Sequence, residues 1–251
     1  MAHIISFVNQ KGGVGKTTSA VNVAAFLAKK KKETLLIDLD PQANATSGLG
    51  IKEAKAGLYE VLTQNFPPES TILQTQLNNL YLLPSTPNLA GANIELVTME
   101  NREFRLKEIL DKIKRDLDYI IIDSPPSLGI LTINGLVASE KVIIPVQCEY
   151  YALEGLGQLL NTINLVQENL QPNLSVLGVL LTMRDHKTRL SREVVLEVQR
   201  NFPGKVFETI IPRNVRLSEA PSFGKTILEY DRFSKGARAY KRVVREIMES
   251  V

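Results

Sequence analysis

Short apolar runs alternate with stretches in which apolar residues recur every three or four positions, along the whole 251-residue chain. Residues 4–8, "IISFV", are β-branched and aromatic and predict a strand. Residues 17–30 place Ala20, Val23, Ala24 and Leu27 at helical spacing. Further strands are predicted over 34–37, 80–83, 119–122, 142–146, 174–181 and 206–211. Further helices are predicted over 104–113, 153–167, 194–202 and 237–248. Near-continuous apolar strands separated by helices imply an α/β fold of three layers, a mostly parallel twisted sheet with helices on both faces. The irregular stretch 50–86, with Pro67 and Pro68, reads as an insertion. No internal repeat or low-complexity linker interrupts the pattern, so residues 1–251 are expected to form one domain.

Composition agrees with a globular chain: 44% apolar and 23% charged residues. No apolar run approaches the ~20 residues that span a bilayer. The start, "MAHIISFVNQ", lacks a basic segment and a small-residue cleavage site, which argues against a secretory signal. Cys148 is the only cysteine, which excludes an intrachain disulfide and a cysteine-rich metal site. A cytoplasmic protein is expected. Charge is uneven: residues 1–180 carry a net −3 and residues 181–251 a net +6. Such a local excess attracts polyanions whatever the overall charge.

The chemistry sits where the predicted strands end, the place where open parallel sheets bind ligands. The first strand runs into "QKGGVGKTT" and then a helix. Gly15, Lys16 and Thr17 match the end of a phosphate loop, but Gln10 stands where the usual pattern has glycine. Lys11, Gly12 and Gly13 add a second cation and a glycine pair. In such a loop, backbone N–H groups and the helix N-terminus hold phosphates, Lys16 offsets their charge, and the Thr17 hydroxyl ligates Mg²⁺. "LLIDLDPQ" puts Asp38 and Asp40 two residues apart, on one side of an extended chain. "YIIIDSPP" ends a buried strand in Asp123, as the second magnesium-anchoring carboxylate of a P-loop enzyme is presented. A strand-end aspartate alone is often only a helix cap. The conjunction of loop, helix and three acidic strand ends points to a nucleotide site.

"KGGVGKTT", "DLDPQ", "IIIDSPPSLG" and "IPRNVRLSEAPS" together resemble the ParA/Soj family of deviant Walker A partitioning ATPases, P-loop NTPases that segregate chromosomes or plasmids. The resemblance runs from residue 4 to the C-terminal helix. With the first strand starting by residue 4, the chain is similar to the short Soj-type form, without the N-terminal DNA-binding extension of some plasmid relatives. The resemblance implies ATP and Mg²⁺ as cofactors. It places ATP on Lys11, Gly12, Gly13, Val14, Gly15, Lys16, Thr17 and Thr18, with Pro212, Asn214 and Met183 at the adenine. Lys11 matches the signature lysine that reaches the nucleotide of the other subunit. Asp40 would position the attacking water and, with Thr17 and Asp123, belong to the metal site. Asp38 would stand beside the magnesium–water network.

The resemblance also implies an ATP-dependent homodimer that binds double-stranded DNA non-specifically, is nucleoid-associated in the ATP state, and is released by hydrolysis that a ParB/Spo0J-type partner stimulates. Lys187 and Arg216 align with DNA-binding positions. Lys187 departs from the arginine that is commoner there, keeping the charge without bidentate geometry. No helix-turn-helix or zinc-finger pattern is present, so contacts to phosphates rather than bases are expected.

A MinD-like membrane ATPase is the main rival, because Tyr240, Val243, Val244, Ile247 and Met248 form an apolar stripe opposite Lys241, Arg242 and Arg245. A stripe packed on the sheet is the commoner arrangement, and "VRLSEAPS" favours the partitioning family, so no membrane partner is expected. The iron protein of nitrogenase type needs cysteine ligands that one cysteine cannot supply. A nucleotide-binding scaffold without turnover would lack Asp40 or Lys16, and both are present.

Overall fold

A computed structural model describes residues 2–149 and 155–251. Strands β1 (His3–Phe7), β2 (Thr34–Asp38), β3 (Leu73–Gln74), β4 (Leu80–Leu83), β5 (Tyr119–Asp123), β6 (Lys141–Gln147) and β7 (Ser175–Thr182) form one sheet. Their order is β3-β4-β2-β5-β1-β6-β7, and every pair except β3–β4 is parallel. The helices are α1 (Lys16–Lys29), α2 (Asn44–Gly48), α3 (Leu58–Thr63), α4 (Leu89–Glu95), α5 (Arg105–Ile113), α6 (Ile130–Ala138), α7 (Leu156–Asn169), α8 (Arg189–Asn201), α9 (Val215–Glu219), α10 (Ile227–Tyr230) and α11 (Lys235–Met248).

Successive strand residues feed opposite cores, which is why both strand faces are apolar. Ile5, Phe7, Leu36 and Ile121 pack with α1, α10 and α11 on one face. Ile4, Leu35, Ile37 and Ile120 pack with α3 to α6 on the other, and Val142, Ile144 and Leu181 pack there with α7 and α8. The three-layer α/β fold expected from the sequence is present. Helix α1 is buried nearly all round between the sheet and α11, and its alanines at 20, 24, 25 and 28 permit that close approach. The α11 stripe packs inward, with Tyr240, Val243, Val244 and Ile247 at most 1% exposed. Among the described residues no helix is long and apolar enough to cross a membrane.

The structure departs from the sequence reading in four places. Residues 206–211 form no strand. The segment bonds β7 only at its ends, through Phe207 N–H to the Val179 carbonyl and Ile211 N–H to the Leu181 carbonyl, both 2.9 Å. Between them the N–H groups of Glu208 and Thr209 turn to the Glu246 carboxylate on α11, at 2.8 and 3.0 Å, and the ladder breaks. The stretch 50–86 is no appendage, since it supplies β3 and β4 and buries Leu58, Val61 and Leu62. Helix α6 was not foreseen: "ILTINGLVA" is buried on almost every side and so has no polar face to set a period. Helix α8 begins five residues before the expected 194, where the Thr188 hydroxyl caps it by accepting from Ser191 N–H. The expected start of α7 at Leu153 lies outside the described residues.

Candidate nucleotide site

The loop between β1 and α1 is shaped by two glycines and held by two outside anchors. Gly13 and Gly15 have φ of +73° and +89°, the left-handed region that favours glycine. The Asn9 amide donates to the Pro145 carbonyl at 2.7 Å, and its oxygen accepts from Lys11 N–H at 3.0 Å. The Thr182 hydroxyl donates to the Val14 carbonyl at 2.8 Å. A glycine at the N-cap leaves the first N–H groups of α1 without a side-chain cap, so they are open to an anion. Lys16, 6% exposed, folds back into the loop and donates to the Lys11 carbonyl at 3.0 Å. Burial lowers the pKa of its ammonium, against the opposing charges of Asp123 and Asp40. Lys11 is half-buried, with no ion pair among the described residues.

Three carboxylates close the other side. Asp38 and Asp123 are register partners at the ends of neighbouring strands β2 and β5, which points their side chains to the same face. Both are fully buried. Asp38 is well served: its Oδ2 accepts from Thr46 N–H (2.8 Å) and the Thr46 hydroxyl (2.7 Å), and its Oδ1 from Asp40 N–H (3.2 Å). Burial nevertheless pushes its pKa up to about 6, with the Thr46 and Asp40 bonds acting the other way. Among the described residues Asp123 has no hydrogen-bond partner on either oxygen, and the neighbouring Ser124 hydroxyl also lacks one. Burial, and then the charge of Asp38, push the Asp123 carboxyl well above the usual carboxylate range. The Thr17 hydroxyl opposes this without reaching hydrogen-bond geometry. Asp40, 6% exposed, accepts from Gln42 N–H at 2.9 Å.

An orphaned, buried carboxylate beside a second carboxylate is costly unless a cation compensates it. These residues therefore fit a hard divalent cation. Among the described residues no three acidic, imidazole or thiol groups converge into a metal cage. Mg²⁺ needs none, since it keeps several waters and takes substrate phosphates and one or two protein oxygens as ligands.

Next to the loop lies a cleft of about 200 Å³, walled by Gly15, Thr18, Met183, Pro212, Asn214 and Tyr240 among others. The three adenine residues expected from the sequence thus meet the phosphate loop in one cavity. Met183 adopts φ +53° there. The Asn214 oxygen caps α9, accepting from Arg216 N–H at 2.9 Å, which leaves its amide N–H groups for a ligand. Sequence reasoning missed Asn9, Thr46, Ser85 and the lining role of Tyr240, which it counted only as part of the apolar stripe.

Lys187 and Arg216 sit apart from this cavity. Lys187 is exposed in the turn before α8. Arg216 is paired with Glu219 at 3.0 Å and Asp231 at 3.9 Å, its guanidinium 5.9 Å from the Tyr230 ring centre. A second cleft, behind Pro212, is lined by Arg184, His186, Lys235, Arg238 and Arg242, with Glu208 also on its wall.

The family model described as an AAA domain matches residues 2–176. The chromosome partitioning protein ParA of Myxococcus xanthus is 53% identical over 251 residues, covering 99% of this chain and 89% of the relative. The sporulation initiation inhibitor protein Soj of Bacillus subtilis is 55% identical over 249 residues, covering 98% of each. The chain belongs to the ParA/Soj family of chromosome-partitioning ATPases. A ParA/Soj chain shares its fold with enzymes of other names. Cobyrinic acid a,c-diamide synthase of Mycobacterium smegmatis, crystallised with ADP and magnesium, superposes with a TM-score of 0.89 at 38% identity, over 99% of this chain and 95% of that one. The cell division ATPase MinD of Pyrococcus furiosus superposes with a TM-score of 0.82 at 25% identity, over the full length of both. The higher identity to ParA and Soj decides between those names.

Proposed function

We propose that this partitioning ATPase is an ATP-driven DNA-binding switch, acting as a single unit over residues 1–251. The observation that carries the reading is the unpaired Asp123 carboxylate, set in register with Asp38 opposite the Lys16 ammonium at a left-handed glycine loop. The loop N–H groups from Gly12 to Thr18 hold the ATP phosphates, and Lys16 leaves the Lys11 carbonyl to neutralise their oxygens. Met183, Pro212 and Asn214 hold the adenine in the adjoining cleft. Thr17, Asp123 and Asp40 would hold magnesium, which would supply charge stabilisation to the phosphates when bound. Asp40 orients the water that attacks the γ-phosphate, and Asp38 fixes the ordered water around it.

Lys11, the loop cation with no ion pair among the described residues, reaches the nucleotide of a second copy and couples ATP to a sandwich dimer. The dimer joins the basic surfaces that carry Lys187 and Arg216, and binds duplex DNA through phosphates, without sequence preference. The cationic cleft behind Pro212 lies beside the adenine cleft and supports this reading. Hydrolysis removes the γ-phosphate contacts and releases both dimer and DNA, a step that a ParB/Spo0J-type partner accelerates. The protein is thus cytoplasmic and nucleoid-associated while ATP is bound. Retention on immobilised duplex DNA along a salt gradient tests it. ATP with Mg²⁺ should give retention that is lost with rising salt, and ADP should give none. Equal retention with ADP would remove the switch.

A further inference from the structure

We infer that Thr46 is a positioning residue for ATP hydrolysis, acting through Asp38 and, by way of Ser85, through Asp40. Thr46 lies on α2, eight residues beyond Asp38, and is 4% exposed. It supplies two of the three hydrogen bonds that the Asp38 carboxylate accepts, both on Oδ2. The direction of its hydroxyl is fixed. Ser85 N–H donates to the Thr46 oxygen at 3.0 Å, so the hydroxyl proton is committed to Asp38. The Ser85 hydroxyl then donates to the Asp40 carbonyl at 2.7 Å, and Ala43 N–H donates to the same carbonyl at 2.9 Å.

The result is a closed strap. Asp38, at the end of β2, is tied to α2 through Thr46, α2 to the loop after β4 through Ser85, and that loop back to Asp40. Thr46 therefore orients the Asp38 carboxylate through Oδ2, leaves Oδ1 to the Asp40 N–H, and through Ser85 holds the 38–40 backbone that carries Asp40. Packing alone does not require such an arrangement. A buried threonine could be replaced by valine of the same shape, were its hydroxyl not needed to satisfy both a carboxylate and an N–H. A displacement of about 1 Å in a reacting group can cost about 100-fold in rate, so a strap acting on both aspartates has a kinetic consequence.

The inference rests on the proposed roles of Asp38 and Asp40, and the experiment separates the two. Thr46→Val, Thr46→Ser, Ser85→Ala and Asp40→Ala proteins are compared for kcat, KM, equilibrium Mg·ATP affinity and thermal midpoint. Thr46→Val should lower kcat by roughly 10- to 100-fold with KM and ATP affinity within about threefold of the parent. Thr46→Ser should restore kcat to within about threefold, because it keeps the hydroxyl. Ser85→Ala should lower kcat in the same direction without touching Thr46. Thr46→Val at the parental kcat, with Asp40→Ala inactive, overturns the positioning role alone. Asp40→Ala at the parental kcat overturns the reading of the site beneath it. If Thr46→Val does not fold, Ser85→Ala decides: a parental kcat there, or loss of ATP affinity in step with kcat, reduces the strap to a structural one.

Discussion

The ammonium of Lys16 donates a hydrogen bond to the carbonyl of Lys11, 3.0 Å away, so the two lysines of the phosphate loop are joined through the backbone of one of them. A buried lysine whose pKa is lowered by burial gains from a polyanion that takes over this bond. Lys16→Ala removes that charge-assisted contact, worth about 1.5–3 kcal/mol, and should weaken ATP binding by roughly 10- to 150-fold. Isothermal titration with Mg·ATP measures it. Unchanged affinity would sink the assignment of the loop.

In the proposed mechanism Asp40 acts chiefly on the attacking water. Its carboxylate accepts from Gln42 N–H, within its own turn. Asp40→Ala should leave ATP binding intact while lowering kcat by about 100-fold or more, the range expected when a group that orients or deprotonates the nucleophile is lost. ATP would then persist, and light scattering should report a long-lived dimer. Turnover at the parental rate excludes Asp40 as the water-positioning group.

Asp123 and Asp38 give the nucleotide-free protein an unusual pH response. Both carboxyls have pKa values raised in the folded state above the usual carboxylate range, Asp38 to about 6. In the range between the ordinary and the raised value the folded chain binds more protons than the unfolded chain, so the Asp38 contribution to stability falls as pH rises through about 4 to 6, and the Asp123 contribution falls in the same direction. Asp123→Asn removes one of the charges. It should raise the thermal midpoint of the nucleotide-free protein near pH 7 by roughly 2–4 °C, the shift that about 1 kcal/mol gives in a chain of this size. Scanning calorimetry across pH 5–8 checks the sign. The same variant should lose the Mg²⁺ dependence of ATP affinity. A lower midpoint at pH 7 than the parent's would mean that the buried carboxylate is compensated in the free protein.

The parts of this molecule legible in its sequence are the local ones. Strands buried on both faces announce themselves as apolar runs, and the loop, Asp38, Asp40 and Asp123 lie at strand ends, where the chain order alone places them on one edge of the sheet. What was not legible depends on contacts distant in sequence. Asn9 anchors the loop to Pro145, 136 positions away, and Tyr240 reaches Ser19 across 221 positions at 3.0 Å between hydroxyl oxygens. Thr46 and Ser85, 39 positions apart, carry no pattern that distinguishes them from loop residues. The expected strand over 206–211 failed for a related reason: two of its N–H groups are claimed by Glu246, on a helix that periodicity describes only as amphipathic.

Arg216 enters the proposed DNA surface already neutralised, which gives a prediction of opposite sign at two neighbouring residues. Its guanidinium is paired with Glu219 and lies near Asp231, and Glu219 also accepts from the Tyr230 hydroxyl at 3.0 Å. Exposed pairs of this kind are worth little in stability, and salt screens them. They nevertheless compete with phosphate for the same cation. Arg216→Ala removes one phosphate contact per subunit, so the slope of log K against log salt should flatten by roughly two units for the ATP dimer. Glu219→Gln, which removes the competing charge, should instead raise DNA affinity at low salt while leaving ATP turnover without DNA at the parental rate. Both effects should be equal on unrelated duplexes, because phosphate contacts carry no base information. Fluorescence anisotropy between about 50 and about 200 mM salt measures slope and affinity together. Parental affinity and slope in Arg216→Ala remove this residue from the DNA surface. Weaker binding by Glu219→Gln means that the carboxylate holds Arg216 in place for DNA rather than away from it.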